Sequence, residues 1–201
     1  ENLAKAAVAI NINGAQQDLC DEINMNADVS IITINTDEGL EIMRHTLTAQ
    51  VLARALKNLY PRAKLAIGPT IDDGFYYDFS CEQQLSVDDL PAIEKEMKSI
   101  IASDAIIEKS LKTKAEVISL FKERDEKYKI DIIENSNQEK NFQIYQQGSS
   151  DFIDLCRGPH LPSLKQIGAF KLTKISGAYW KGDAQNEMLQ RIYGTAWSNN
   201  K

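Results

Sequence analysis

The chain has 201 residues, 43% of them hydrophobic and 26% charged, an ordinary composition for a globular protein of one or two domains. No apolar run approaches the roughly 20 residues of a membrane span, and the net charge of -6 weighs against a general nucleic-acid binder, whose affinity comes mostly from Lys and Arg at phosphates. Three cysteines without regular spacing and a start, ENLAKAAVAI, too short and mixed for a secretory signal predict no disulfide framework and a reducing, cytoplasmic setting.

In chain order, NLAKAA reads as the tail of a helix. Val8, Ile10 and Ile12 then alternate up to Asn13-Gly14, a pair suited to a tight hairpin turn, and Val29 to Thr36 is a further strand. Leu40, Met43, Leu47, Val51, Ala55 and Leu59 recur at steps of three and four, which predicts a long amphipathic helix over 41–59 ended by Pro61. KLAIGPTIDDGFYYDFS reads as a strand, a Gly-Pro turn, an acidic turn and an aromatic strand, Phe75 to Phe79. A helix follows in SVDDLPAIEKEMKSIIA, capped by Ser86 or Asp88, and another in TKAEVISLFKER. YKIDIIE, QIYQQG, DFIDLC and AFKLTKIS are expected as short strands, with NSNQEKN as a surface loop. Without regular strand–helix alternation the class is α+β. Arg44, Arg54, Lys57, Arg62 and Lys64, or Lys165, Lys171, Lys174 and Lys181, would form a local basic face or simply scattered solvated charge.

The stretch DLCRGPHLP carries the chemistry. Cys156 and His160 flank an Arg-Gly-Pro loop. A C-x3-H pair supplies two zinc ligands, but only His45, Cys20 and Cys81 remain as further nitrogen or sulfur donors, so a structural cysteine with a turn histidine is an equal reading. The strand period of two puts Asp154 and Cys156 on one face, at a strand end where sites gather. Arg157 would favour the thiolate or be solvated. Trp180 and Trp197 read as core or contact residues before base-stacking platforms.

Together GLEIMRH, YPRAKLAIGPTIDDGFYYDF, DLCRGPHLP and, above all, KLTKISGAYWKGDAQNEMLQRIYGTAW resemble the amino-terminal part of the bacterial-type threonyl-tRNA synthetase family. The resemblance implies a partial, truncated TGS-like β-grasp domain over 1–38 and an editing domain with an antiparallel sheet and a long amphipathic helix over 39–201. The implied activity is hydrolysis of serine mischarged on threonine tRNA. A synthetic pocket rejects a substrate one methyl smaller by only about 1–3 kcal/mol, so a second sieve is needed. The aminoacylation and anticodon-binding domains follow in the family. ATP and zinc belong to that aminoacylation domain, so no cofactor is expected here. The partner is the 3′ acceptor end of threonine tRNA; the piece is expected as a monomer and the full protein as a homodimer. By the same likeness Lys129, Asp154 and Tyr77 line the pocket.

The departure lies in the helix. The family pairs a helical HxxxH with the CxxxH loop, whereas RHTLTAQVLARA has one extra residue and places Gln50 where the second histidine belongs. His45 and Gln50 are five apart, which in a regular α-helix separates them by roughly 140°. Thr46 and Gln50 would then face the cleft and His45 would be displaced. A π-bulge would instead absorb the insertion and return both side chains to the cleft. Glutamine is a poor zinc ligand, so no bound metal is predicted. His160 is expected as general base or water holder, with Cys156, Lys129 and Asp154 polarising the ester and His45 as a further catalytic group; Tyr77, Thr46 and Gln50 are expected to contact substrate. The alternative is an editing-inactive module that binds the acceptor end or props its neighbours.

Overall fold

The computed structural model describes residues 2–198. A short helix α1 (Asn2–Ala6) leads into a hairpin of β1 (Ala7–Ile12) and β2 (Ala15–Gln17). Asn13 and Gly14 take φ of 50° and 86°, the positive angles that a two-residue turn of this kind demands. β3 (Val29–Thr33) pairs with the other side of β1, giving an antiparallel sheet of order β2-β1-β3. Val8, Ala9 and Ile32 of this sheet join the main core.

The long helix starts earlier than the periodicity suggests. The Thr36 hydroxyl accepts from the Gly39 N–H at 3.0 Å, and Asp37 and Glu38 occupy the first turn, where the helix dipole favours negative charge. A side chain at residue 39 would collide with the Thr33 carbonyl, so glycine permits this close start. α2 (Asp37–Thr46) passes into a π-turn (Leu47–Leu52), in which the Ala53 N–H reaches back five residues to the Thr48 carbonyl, and then into α3 (Ala53–Leu59). The inserted residue is absorbed by the bulge, and the helix continues unbroken.

Next come β4 (Lys64–Leu65), β5 (Thr70–Ile71), β6 (Gly74–Ser80), α4 (Leu90–Ser103), β7 (Ile107–Lys112), α5 (Lys114–Glu123), α6 (Lys127–Glu134), β8 (Phe142–Gln147), β9 (Ile153–Leu155), β10 (Ala169–Tyr179) and β11 (Met188–Trp197). Ser86 with Asp89, and Thr113 with Glu116, form capping boxes before α4 and α5. A second sheet runs β10-β11-β6-β4, with β5 also on β6, and a third runs β7-β8-β9. All pairings are antiparallel, so the α+β class with antiparallel sheets holds. The main core sets Met43, Leu47, Val51, Leu52 and Leu56 of the long helix against Phe75, Phe79 and Ile192 of the second sheet, with Ile93 and Met97 of α4. Each such burial is worth roughly 1.5–3 kcal/mol.

One expected strand is a helix. YKIDIIE forms α6, and its alternating apolar residues serve two cores at once. Tyr128 and Ile132 pack with Ala66, Trp180 and Leu189, whereas Ile130 and Ile133 pack with Val117, Phe121 and Phe142. A helix covered on two sides imitates the period of two. β7 was not anticipated, because IEKSLK has exposed polar residues on one face and a weak apolar signal on the other.

Most of the basic residues singled out in the sequence are paired rather than free. Lys57, Arg62, Lys64, Lys165, Lys171 and Lys181 each pair with a carboxylate, Arg54 meets Gln147, and Lys174 lies over the Tyr193 ring. Arg44 is buried, donating to the carbonyls of Ala196 and Asp72 beneath Trp197. Trp180 is a core residue as expected, its indole N–H donating to Asp131. Among the described residues no helix is long and apolar enough to cross a membrane.

Candidate active site

Four elements converge where α2 meets the π-turn. The last turn of α2 carries His45, β6 carries Tyr77, α6 carries Lys129, and β9 delivers Asp154 and, just beyond it, Cys156. The loop after β9 turns sharply at Gly158, whose φ is 62° and where a Cβ would strike the Tyr145 hydroxyl. Both facts demand glycine. The Gly158 N–H points at Cys156 Sγ at 3.4 Å, and the His160 N–H donates to Asp18 Oδ1 at 2.8 Å.

His45 Nε2 lies 2.8 Å from Cys156 Sγ. Its ring stacks on that of His160, centroids 4.9 Å apart and planes 5° from parallel. Tyr145 meets the other side of the site edge-on, 4.5 Å from the His160 ring. His45, Tyr77, Lys129, Asp154 and Cys156 all border a cavity of about 720 Å³, within the roughly 300–1,000 Å³ usual for small-molecule sites. Asn135, Ser136, Gln138, Asn141, Gln143 and Arg157 complete its polar rim, and Ala49, Gly68 and Ile132 are among its apolar parts.

His160, Thr46 and Gln50 come together too, but one layer back. All three are buried; His160 Nδ1 faces Thr46 Oγ1 at 3.2 Å and its Nε2 faces Gln50 Nε2 at 3.4 Å. None of the three borders the cavity. The expectation that a regular helix would turn Thr46 and Gln50 outward and displace His45 is therefore reversed. The π-turn brings His45 to the front, and the imidazole expected as general base supports it from behind.

Burial sets the charges. It holds the His45 pKa below its ordinary value, outweighing the pull of Asp154 and Glu41, so the ring is neutral near pH 7 and free to exchange a proton with the thiol. Burial also raises the Asp154 carboxyl above the usual range, although Lys129 Nζ at 2.7 Å and the Leu155 N–H at 2.9 Å pull the other way. The phenol of Tyr77 is pushed far up by burial and remains a donor, its oxygen without a partner among the described residues.

A metal is the other use for such a cluster. Donor atoms of His45, Cys156 and His160 lie within 4.8 Å of one another, three of the four nitrogen or sulfur ligands of a zinc site. Both nitrogens of His160 are already engaged, and the next side chain is an amide, so the geometry suits hydrogen bonding better than ligation.

Sequence reasoning missed Asp18, Tyr145 and Gln147. Tyr145 and Gln147 sit two apart on β8, a spacing that marks one face of a strand; nothing in the sequence singles out Asp18, which arrives from the first sheet.

Residues 143–193 match the family described as the second additional domain of threonyl and alanyl tRNA synthetases. The threonine–tRNA ligase of Hahella chejuensis is 49% identical over 199 residues, that of Nitrosococcus oceani 48% over 199, and that of Wolbachia sp. subsp. Brugia malayi 46% over 198. These alignments take in 98–99% of this chain and 30–31% of each relative, so the chain spans under a third of their length. With that identity along nearly its whole length, the chain belongs to the threonyl-tRNA synthetase family.

Proposed function

We propose that this chain carries the editing activity of a threonyl-tRNA synthetase, hydrolysing the ester that joins serine to the 3′ end of threonine tRNA. The observation that carries this reading is the 2.8 Å contact of His45 Nε2 with Cys156 Sγ at the edge of a cavity that also holds Lys129, Asp154 and Tyr77. Ester hydrolysis needs a group that takes a proton from water and returns it to the leaving oxygen. His45, in contact with the thiol, is placed for both. Water adds to the carbonyl carbon, the bond to the ribose oxygen breaks, and the proton passes to that oxygen, leaving free serine and uncharged tRNA. The Tyr77 hydroxyl and the Lys129 ammonium are donors for the oxygen that becomes negative; the Asp154 carboxylate accepts from the serine amine.

Discrimination against threonine would fall to the small residues that border the cavity, Ala49 and the Gly68 that packs on the Tyr77 ring. The rim of amides and hydroxyls suits the ribose and base of the terminal adenosine. On this reading residues 1–38 are the later part of a TGS-like β-grasp domain and 39–201 the editing domain of a cytoplasmic synthetase. Aminoacylation with its ATP and zinc, and dimerisation, belong to other parts of that enzyme.

The test is a deacylation assay with seryl-tRNA and, as control, threonyl-tRNA. Release of serine well above the uncatalysed rate, lost in His45→Ala and Cys156→Ala, is the expected result. Binding of the acceptor end without release would replace the hydrolase by a tRNA-binding module, the reading that Gln50 in place of a second histidine favours.

A further inference from the structure

Around Gln50 runs a file of side chains whose hydrogen bonds have only one permitted direction. Arg54 has donors alone, and its Nη1 meets Gln147 Oε1 at 3.0 Å. The amide of Gln147 is thereby turned so that Nε2 donates, at 2.8 Å to the Gln50 backbone carbonyl and at 3.0 Å to Gln50 Oε1. With its oxygen occupied, Gln50 presents its own Nε2 to His160 Nε2. That ring nitrogen must then be the bare one, and the ring proton sits on Nδ1, donated to Thr46 Oγ1. The Thr46 hydroxyl accepts from the Leu161 N–H at 3.0 Å and gives its own proton to the Ile42 carbonyl at 2.9 Å. A guanidinium that only donates closes one end and a carbonyl that only accepts closes the other, so the polarity of the file cannot reverse.

Gln147 also touches the backbone at the decisive place. A π-turn disturbs the regular carbonyl-to-amide ladder, and the Gln147 amide supplies a donor to a carbonyl inside that turn. The residue is fully buried on β8, 97 positions from its partner.

We infer that Gln147 is a positioning residue, which fastens the π-turn and fixes His160 as the neutral tautomer protonated on Nδ1, so that the stacked His45 ring is held against Cys156. A histidine at position 50 could present either a proton or a lone pair to His160; the oriented amide presents only a proton. In this tautomer both nitrogens of His160 are spoken for, which leaves His45 as the proton carrier. The inference rests on the proposed hydrolysis for its kinetic readout alone.

The experiment is nitrogen-15 NMR of the two histidine rings, together with seryl-tRNA release, in the protein and in Gln147→Glu and Gln147→Met. Expected in the unaltered protein is His160 with its proton on Nδ1. In Gln147→Glu the side chain can only accept, the Gln50 amide turns over, and the proton moves to Nε2; kcat falls on the order of tenfold with KM little moved, the pattern of a lost transition-state alignment. In Gln147→Met, which keeps volume and drops the donor, both tautomers appear. Thermal melts establish that the variants are folded. A proton on Nε2 in the unaltered protein, or an unchanged tautomer in the folded variants, overturns the inference. If the unaltered protein releases no serine, the editing reading falls while the tautomer still decides this one.

Discussion

The front and back of the site are built from the same helix and the same loop, yet they answer to different physics. His45 and Cys156 at the front are half-buried and face an open cavity, whereas Thr46, Gln50 and His160 behind them are sealed. In front, hydrogen-bonding capacity is left over even at a buried group, the Tyr77 hydroxyl, which has no partner among the described residues. Behind, each of these polar side chains has a partner, as burial requires. The groups that can meet a substrate are those that border the cavity, and the layer behind them supplies rigidity.

The sharpest way to break that division is His45→Ala. On the proposed reading it lowers seryl-tRNA release by about 10²–10⁴-fold with little change in the melting temperature; an undiminished rate would move the chemistry to the back layer. The buried Lys129–Asp154 pair, 6% and 2% exposed, bridges the two regimes. Lys129→Met strands a carboxylate and should cost about 3–5 kcal/mol in urea unfolding, while a double replacement with Asp154→Leu should recover most of the loss.

Asp18 tests how far the back layer extends. It receives the His160 N–H, the Tyr145 hydroxyl at 2.6 Å and Lys109 at 3.0 Å, so Asp18→Ala should cost about 1–3 kcal/mol of stability by leaving buried donors unpaired. Protection of the His160 amide in hydrogen exchange should fall with it. pH separates the layers more gently. The folded protein binds a proton at His45 less readily than the unfolded chain, so stability is full above about pH 6.5 and declines as the pH falls below it; His45→Gln should flatten that slope in acid melts. Smallest of all is Arg62→Ala, which removes a pair with Glu82 that is 81% and 64% exposed and should change stability by less than about 0.5 kcal/mol.

How much of this could be read beforehand follows from the range of each interaction. The hairpin at Asn13-Gly14, the Ser86 cap, the aromatic strand β6 and the apolar stripe of the long helix are local patterns, and each stands where expected. α6 was misread because its alternating residues belong to two cores whose other walls lie elsewhere in the chain. Cys156, His160, Asp154, Lys129, Tyr77 and His45 were legible as a group from residue type and family likeness. Asp18, Tyr145 and Gln147 were not, because polar residues on small strands carry no local mark of the partner they will meet.

The sequence by itself determined the classes of element, the loop that carries Cys156 and His160, and the presence of one residue too many in the helix, since these depend on neighbours within a few positions. It left two helices open, a regular one and a bulged one. Only the tertiary structure decided between them: Gln147 and His160, about a hundred residues downstream, provide the hydrogen bonds that the bulged backbone and its glutamine require. Contacts of that separation have no signature in local periodicity, and they determine which histidine meets the cavity.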